Sequence, residues 1–387
     1  MSLPSLRSDL HLRVMLTHYL WFVFIVFFAI LTVVTAIDVA TDIQKVFATH
    51  TPDGVTATTE IVLRFLGYRL IDNASQVLPI SVMVGLAWGE VVHETSGRVM
   101  TLRSLGLRSG LAMRPVAVVL VLSMAIQLFM STVARPYAFM SLSQQNLGEY
   151  GLIYAKQRSE REWFAFGDTL FTAYIDEAEK ASMTDWAVFS FSEDGRLEQL
   201  RVSPELEYSM ASGDQWRALE TRQIYLGFPS GSDEAVIDGG QQASGAEKAI
   251  VHPNFSRLWL HYRYIDPKYV PFADLLRLSR AEGIPSTEPD YAPWVTLRLF
   301  EPVAFTLVSL LFFTTVHFLR HKVAFAVATV LAFSASYVGY FVVKAIGVFL
   351  AANIVAPGLT AFLVCLGLAA LNLVLFRRTQ TRRHEAP

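Results

Sequence analysis

The sequence predicts a membrane protein of mixed class: six transmembrane α-helices in two groups of three, with a β-rich domain between the third and the fourth. Three observations predict it. Of 387 residues, 53% are hydrophobic and only 17% charged, where a soluble domain carries about a quarter charged. Long runs contain no charge at all, while Arg135–Arg298 reads as ordinary soluble protein. Inside that stretch, short alternating segments are separated by turn residues, as in a β-sandwich or jelly roll.

An apolar helix needs about 20 residues to cross a hydrocarbon core of roughly 30 Å, because lipid offers the backbone no partner. Tyr19–Ile37, Asn73–Gly89, Pro115–Ala134, Pro302–Leu319 and Val323–Val343 are uncharged runs of suitable length. Ala345–Phe376 is uncharged for 32 residues, too long for one span, and Pro357-Gly358 divides it. Membrane helices are therefore expected at about 19–40, 61–90, 113–134, 297–319, 323–346 and 355–376. This gives an N-terminal membrane part over 1–134, a β domain over 135–293 and a C-terminal membrane part over 294–387. Leu3–Met15 has leucines interleaved with Arg7 and Arg13, which suits a short interfacial helix leading into the first span.

Orientation follows from Lys and Arg in the short loops. With the N-terminus inside, the cytoplasmic segments hold 12 basic residues and the short outer segments 4, Lys45, Arg64, Arg69 and Lys344. Both termini are expected in the cytoplasm and the β domain outside. Arg135–Arg298 carries 16 basic and 24 acidic residues, which argues against nucleic acid as a partner.

In the β domain, Trp163–Ile175 has a turn at Gly167-Asp168. Trp186–Phe191 and Leu197–Val202 flank Glu193-Asp194-Gly195-Arg196, a good hairpin signal. Glu205–Met210 and Trp216–Leu226 continue the pattern, Ser230–Ala249 reads as a loop, and Arg257–Tyr264 alternates like a strand. Phe272–Ala281 reads as a short amphipathic helix.

Nothing points to catalysis, a cofactor or a metal. There is no phosphate-binding loop, not even a Gly-Lys pair, and His93-Glu94 lacks the second histidine of a zinc-protease motif. His317 and His321 stand at i and i+4 but read best as interfacial residues beside Arg320 and Lys322. The lone Cys365 excludes an intramolecular disulfide. Gly85-x-x-x-Gly89 and Ala335-x-x-x-Gly339 permit close helix approach, either within the chain or between subunits. Lys344 lies between two long apolar runs, either snorkelling to the surface or facing an acidic ligand. Glu90–Arg114 is the only sizeable loop expected on the cytoplasmic side. Val99, Met100, Leu102 and Leu105 are interleaved there with Arg98, Arg103 and Arg108, predicting a short helix at about 94–108 that rests on the membrane surface or docks a partner.

Several segments together resemble the LptF/LptG (YjgP/YjgQ) family of lipopolysaccharide-export permeases. Leu78-Pro79-Ile80 and Val99-Met100-Thr101-Leu102-Arg103-Ser104-Leu105-Gly106 look like the family's second helix and cytoplasmic coupling helix. Val133-Ala134-Arg135-Pro136 is similar to its exit from helix three. Trp163…Gly167-Asp168…Ile175, Asp194-Gly195 and Gly213…Trp216-Arg217-Ala218-Leu219 follow its jelly-roll pattern. Pro271…Leu275-Leu276…Gly283…Tyr291…Trp294…Leu297…Pro302 and Ile354-Val355-Ala356-Pro357 match its return to the membrane and its last turn. Asp38 at the end of the first helix leans towards LptG over LptF.

The resemblance implies a non-catalytic permease subunit of an ABC transporter in a Gram-negative inner membrane. It would pair with an LptF-type paralogue on an LptB-type ATPase dimer, extract lipopolysaccharide, and pass it to the jelly-roll proteins LptC and LptA. By the resemblance, Glu94, Arg98, Met100, Leu102, Arg103, Leu105 and Gly106 would form the ATPase-coupling element, and Lys45 and Lys344 would meet lipid phosphates. Two departures stand out. Arg98 occupies the place where the family usually carries a glutamate, and only Lys45 is basic at the end of helix one. The other reading is a membrane sensor or scaffold with a ligand-binding outer domain, which expects an output domain on the cytoplasmic side.

Overall fold

The computed structural model describes residues 4–48, 59–104, 109–145, 147, 161–176, 182–209, 215–218, 222–227, 236–238, 249–250, 256–263, 265–285, 290–320 and 322–384. In chain order the elements are α1 (Pro4–Ala48), α2 (Thr59–Thr95), α3 (Arg98–Ser104), α4 (Ser109–Phe129), a π-turn (Met130–Ala134) and α5 (Arg135–Gln144). There follow β1 (Glu162–Phe166), β2 (Thr169–Asp176), β3 (Ser182–Phe191), β4 (Leu197–Ser209), β5 (Gln215–Ala218), β6 (Arg222–Gly227), β7 (Val236–Asp238) and β8 (Ala249–Ile250). The chain ends with α6 (Arg257–Tyr262), α7 (Phe272–Leu278), α8 (Ala292–Leu319), α9 (Phe325–Ala351) and α10 (Pro357–His384). Contacts divide them into two compact units, Met1–Gly148 with Pro293–Pro387, and Glu149–Ala292.

In the first unit, six helical stretches are long and apolar enough to cross a membrane: α1, α2, α4 running through the π-turn into α5, α8, α9 and α10. They are not equivalent. The apolar stretches of α2 and α8 are 61% and 56% buried within the protein, against 11% to 22% for the others. These two form the centre of the bundle. α2 also buries Asp72, Asn73, Ser75, Ser81, Glu90 and His93, which only a helix facing protein rather than lipid can do. One core cluster joins Tyr19 and Val23 of α1, Val82 and Leu86 of α2, Val119 of α4 and Phe312 and Phe313 of α8. A second joins Phe300, Ala304 and Val308 of α8 to Val343 and Leu350 of α9 and Ala361 of α10.

Glycine sets the closest approach. A Cβ on Gly85 would lie 2.5 Å from the Val23 Cα, and one on Gly89 2.8 Å from the Tyr19 ring. The Gly85-x-x-x-Gly89 spacing thus serves internal packing of α2 on α1. Gly339 similarly faces Val308 of α8.

Helix-breaking residues are compensated by side chains from neighbours, as a dry environment requires. Pro79 has no N–H to offer the Ser75 carbonyl, which instead accepts from Gln127 Nε2 of α4 at 2.9 Å. At the π-turn the Arg135 N–H reaches Met130 O rather than Ser131 O. The Ser131 carbonyl accepts from Arg298 Nη1 of α8 at 2.9 Å. Asn372 ties α10 to α8, donating to Leu307 O at 3.1 Å and accepting from Thr314 Oγ1 at 2.9 Å.

The expected interfacial helix and first span are one continuous helix of 45 residues. No Gly and no further Pro follows Pro4 before Ala48, so nothing in the sequence ends the helix between them.

The second unit carries one antiparallel sheet in the order β1-β2-β3-β4-β5-β8, with β6 pairing β4 and β7. The expected hairpin is present: Phe191 pairs Leu197, and Gly195 at φ 75° closes the turn. β3 carries a bulge at Asp185, which takes φ 53°. Asp185 lies between the pairs Thr184↔Glu205 and Trp186↔Ser203, facing Pro204, which has no N–H for the ladder. Phe164, Phe171, Met183, Trp186, Leu206, Trp216 and Trp259 are buried.

Two segments differ from expectation. Arg257–Tyr264, read as a strand, contains helix α6, capped by the Ser256 hydroxyl accepting from the Trp259 N–H at 3.3 Å. The expected loop over Ser230–Ala249 includes strand β7.

Candidate functional site

The segment α3 is built as a short spur on the end of α2. Thr95 ends α2, and Ser96 N–H and Gly97 N–H donate to Val92 O at 3.0 Å and Glu94 O at 3.1 Å. Gly97 takes φ 69°, a left-handed turn that favours glycine. The chain then re-enters a helix at Arg98, secured by the Thr101 N–H and hydroxyl, which both donate to Gly97 O. The direction of α3 relative to α2 is therefore set at one residue.

Of the residues expected to form the coupling element, Glu94 is half-buried at the end of α2, and Arg98 and Met100 are exposed on α3, Met100 by 77%. Leu102 and Arg103 belong to the same helix, their side chains lying outside the described residues, as do Leu105 and Gly106 altogether. The helix thus brings Arg98, Met100, Leu102 and Arg103 together on seven residues.

Beneath α3, a polar cluster joins α2 to α1. Tyr19 Oη donates to Glu90 Oε2 at 2.8 Å in a buried contact. The His93 ring, fully buried, packs edge-on to Tyr19 at 5.0 Å and to His18 at 5.6 Å between ring centres. Sequence reasoning reads Glu90 only as a charge at a helix end and misses its pairing with Tyr19. The available signal was a glutamate and a histidine one helical turn apart in an otherwise apolar stretch.

At the far end of the bundle lies a second polar cluster. Arg69 pairs with Asp38 of α1, reaches Asp72 at 3.5 Å and Asp42 at 3.9 Å, and Asp72 accepts from Arg135 Nε at 2.6 Å. Asn73 Nδ2 donates to Asp38 at 3.2 Å. Lys45 lies on α1 one turn from Asp42, its side chain outside the described residues. Lys344 of α9 is 3.2 Å from Glu301 of α8 and 5.1 Å from the centre of the Phe305 ring. It thus has a partner within the chain and an exposed flank.

Among the described residues no group of three or more His, Cys, Asp or Glu side chains could hold a metal ion. His321 lies outside them, and His317 Nδ1 is 3.0 Å from the Phe313 carbonyl of its own helix.

Six apolar helices with polar contacts sealed between them, and a separate antiparallel sheet, define a multi-pass membrane protein. Over residues 18–378 the sequence matches the family model of the lipopolysaccharide export system permease LptF/LptG, and the chain belongs to that family. Comparison with individual curated proteins gives no significant match. Family membership makes the chain a permease of lipopolysaccharide transport, a component of the Lpt system.

Proposed function

We propose that the chain is the LptG-type transmembrane subunit of an ABC transporter that extracts lipopolysaccharide from the inner membrane and passes it to a periplasmic bridge. In this reading it pairs with an LptF-type paralogue, and an LptB-type ATPase dimer supplies the energy. The sheet unit is a jelly roll inserted between two three-helix groups, handing the lipid to the jelly rolls of LptC and LptA. Both termini and α3 face the cytoplasm.

The observation that carries the proposal is α3 in the context of the family. It is a short helix with Arg98 and Met100 exposed, attached through Ser96-Gly97 to α2 at the centre of the bundle. Such a helix suits a groove in a partner: Met100 and Leu102 supply apolar contact and Arg103 a polar one. A push on it reaches α1 through the Tyr19–Glu90 contact. Arg98 and half-buried Glu94 then place opposite charges at the same docking surface, Glu94 standing in for the family's usual glutamate.

The test is purification of the tagged chain in mild detergent, with identification of what accompanies it. An ATPase and a second six-helix permease are expected, and Arg103→Glu should remove the ATPase while the chain stays folded. Retention of the ATPase would refute the coupling role. A solitary, folded wild-type chain would refute the transporter reading and favour a sensor or scaffold.

A further inference from the structure

α8 and α10 run side by side in the same direction. Phe300 and Ala361 share a core cluster near their starts, and Thr314 Oγ1 donates to Asn372 Oδ1 at 2.9 Å nearer their ends. Beyond that contact both segments become basic. Arg320 and Lys322 stand 6 and 8 residues after Thr314, and Arg377, Arg378, Arg382 and Arg383 stand 5, 6, 10 and 11 after Asn372. At about 1.5 Å per helical residue, the six fall in a layer roughly 10 Å deep. From Pro302 to Pro387 the only acidic residue is Glu385. Lys322, Arg377 and Arg378 are exposed, and Lys322 Nζ lies 4.7 Å from the centre of the Phe318 ring. This is the end of the bundle that carries α3, because Tyr19 meets both Glu90 of α2 and Phe313 of α8.

We propose that this end of α8 and α10 binds an anionic phospholipid of the surrounding bilayer, its phosphate held in the basic layer and an acyl chain laid along α10. The apolar stretch of α10 is 11% buried, the least of the six spans, so its flank is left to lipid. Leu359, Leu363, Leu366 and Leu373 are exposed there, and their helical spacing puts them on one stripe that ends at Arg377. A single lipid can therefore touch the apolar stripe and the basic layer at once, which a soluble anion cannot. The guanidinium fork of an arginine matches two phosphate oxygens. Clusters of about four to eight basic residues at the foot of a membrane helix attract anionic headgroups, whereas a zwitterionic headgroup cancels its own phosphate charge. The site does not depend on the proposed transport role.

Photo-cross-linking of the full-length chain in nanodiscs of equal parts dioleoyl-phosphatidylglycerol and dioleoyl-phosphatidylcholine tests the site, with the captured lipid identified by mass spectrometry. Benzoylphenylalanine in place of Val374, exposed just before the arginines, reports on the site; in place of Leu359, at the other end of α10, it supplies the reference. The glycerol-to-choline lipid ratio captured at Val374 is expected to exceed that at Leu359 by at least about fivefold, the effect of one basic side chain at an anionic surface. Arg377→Gln with Arg378→Gln should remove most of that excess. Lys322→Gln, in a turn outside every helix, should remove part of it and serves if the double variant fails to fold. Equal ratios at the two probes would overturn the proposal, as would an excess unchanged in either folded variant. Equal ratios together with loss of a co-purifying protein from the double variant would make the basic layer a protein-docking surface instead.

Discussion

Arg69 and Lys344 are both cations within membrane helices, near the end remote from α3, and the structure treats them differently. The Arg69 side chain is 9% exposed and sits among Asp38, Asp42 and Asp72, with Arg135 balancing Asp72 from the far side. Lys344 is 45% exposed and has one ionic partner among the described residues, Glu301, itself 27% exposed. The first arrangement joins three helical segments, α1, α2 and α5; the second joins α8 to α9 by a flexible side chain. A buried network is costly to break from one side, because the survivors are left charged and unpaired. A pair not covered by protein is open to a ligand anion, and where the lysine snorkels to water such a pair typically contributes about 0–1 kcal/mol. The α1–α2 side is therefore the fixed half of this end, and the α8–α9 pair is the exchangeable one.

The comparison can be broken by substitution. Arg69→Met leaves three carboxylates without their central cation and should cost about 3–5 kcal/mol. Unfolding in mixed micelles would show it, and a loss under about 1 kcal/mol would mean that the network is no tighter than the surface pair. Gly85→Val places a Cβ 2.5 Å from the Val23 backbone and should cost at least about 1–3 kcal/mol, since backbone must move. Asn372→Leu removes the α10–α8 contacts, and hydrogen bonds of this kind average about 0.6 kcal/mol with a maximum near 1.7. Lys344→Ala should change stability by less than about 1 kcal/mol. In the proposed transporter, Lys344→Glu should weaken lipid cross-linking more than assembly. Equal loss of both would make Lys344 a structural residue like Arg69.

The six apolar helices were legible in the sequence because lipid imposes a length and a composition that no soluble segment needs. The hairpin at Asp194-Gly195 was legible from its turn residues alone. The Arg69 network was not. Along the chain the nearest cation to Asp38 and Asp42 is Lys45, whereas their partner comes from α2, 31 residues from Asp38. The hint lay in Arg69, Asp72 and Asn73, which the i, i+3, i+4 spacing puts on one face of α2. Arg257–Tyr264 misled because Leu258, Leu260, Tyr262 and Tyr264 alternate like a strand, and over so short a run the two periods compete. Ser256, a helix-capping residue placed just before it, was the better guide. Around α3 the residue pattern gave the helix, but its attachment through Glu90 and Tyr19 required the fold.

The fit of α1 against α2 also bears on how the chain enters the membrane. α2 is the least apolar of the six spans and carries Arg69, Asp72 and Glu90 along its length. Released alone into lipid, such a segment would carry these groups near the two margins of the hydrocarbon core, where each costs less than the roughly 2.5–3.5 kcal/mol of a mid-bilayer charge but still lacks a partner. Asp38 and Tyr19 of α1 answer two of those groups directly, and Gly85 and Gly89 let the backbones meet without an intervening lipid chain. The first helix, synthesised earlier and strongly apolar, is thus a template on which the second is laid down, and the unit of insertion is the pair.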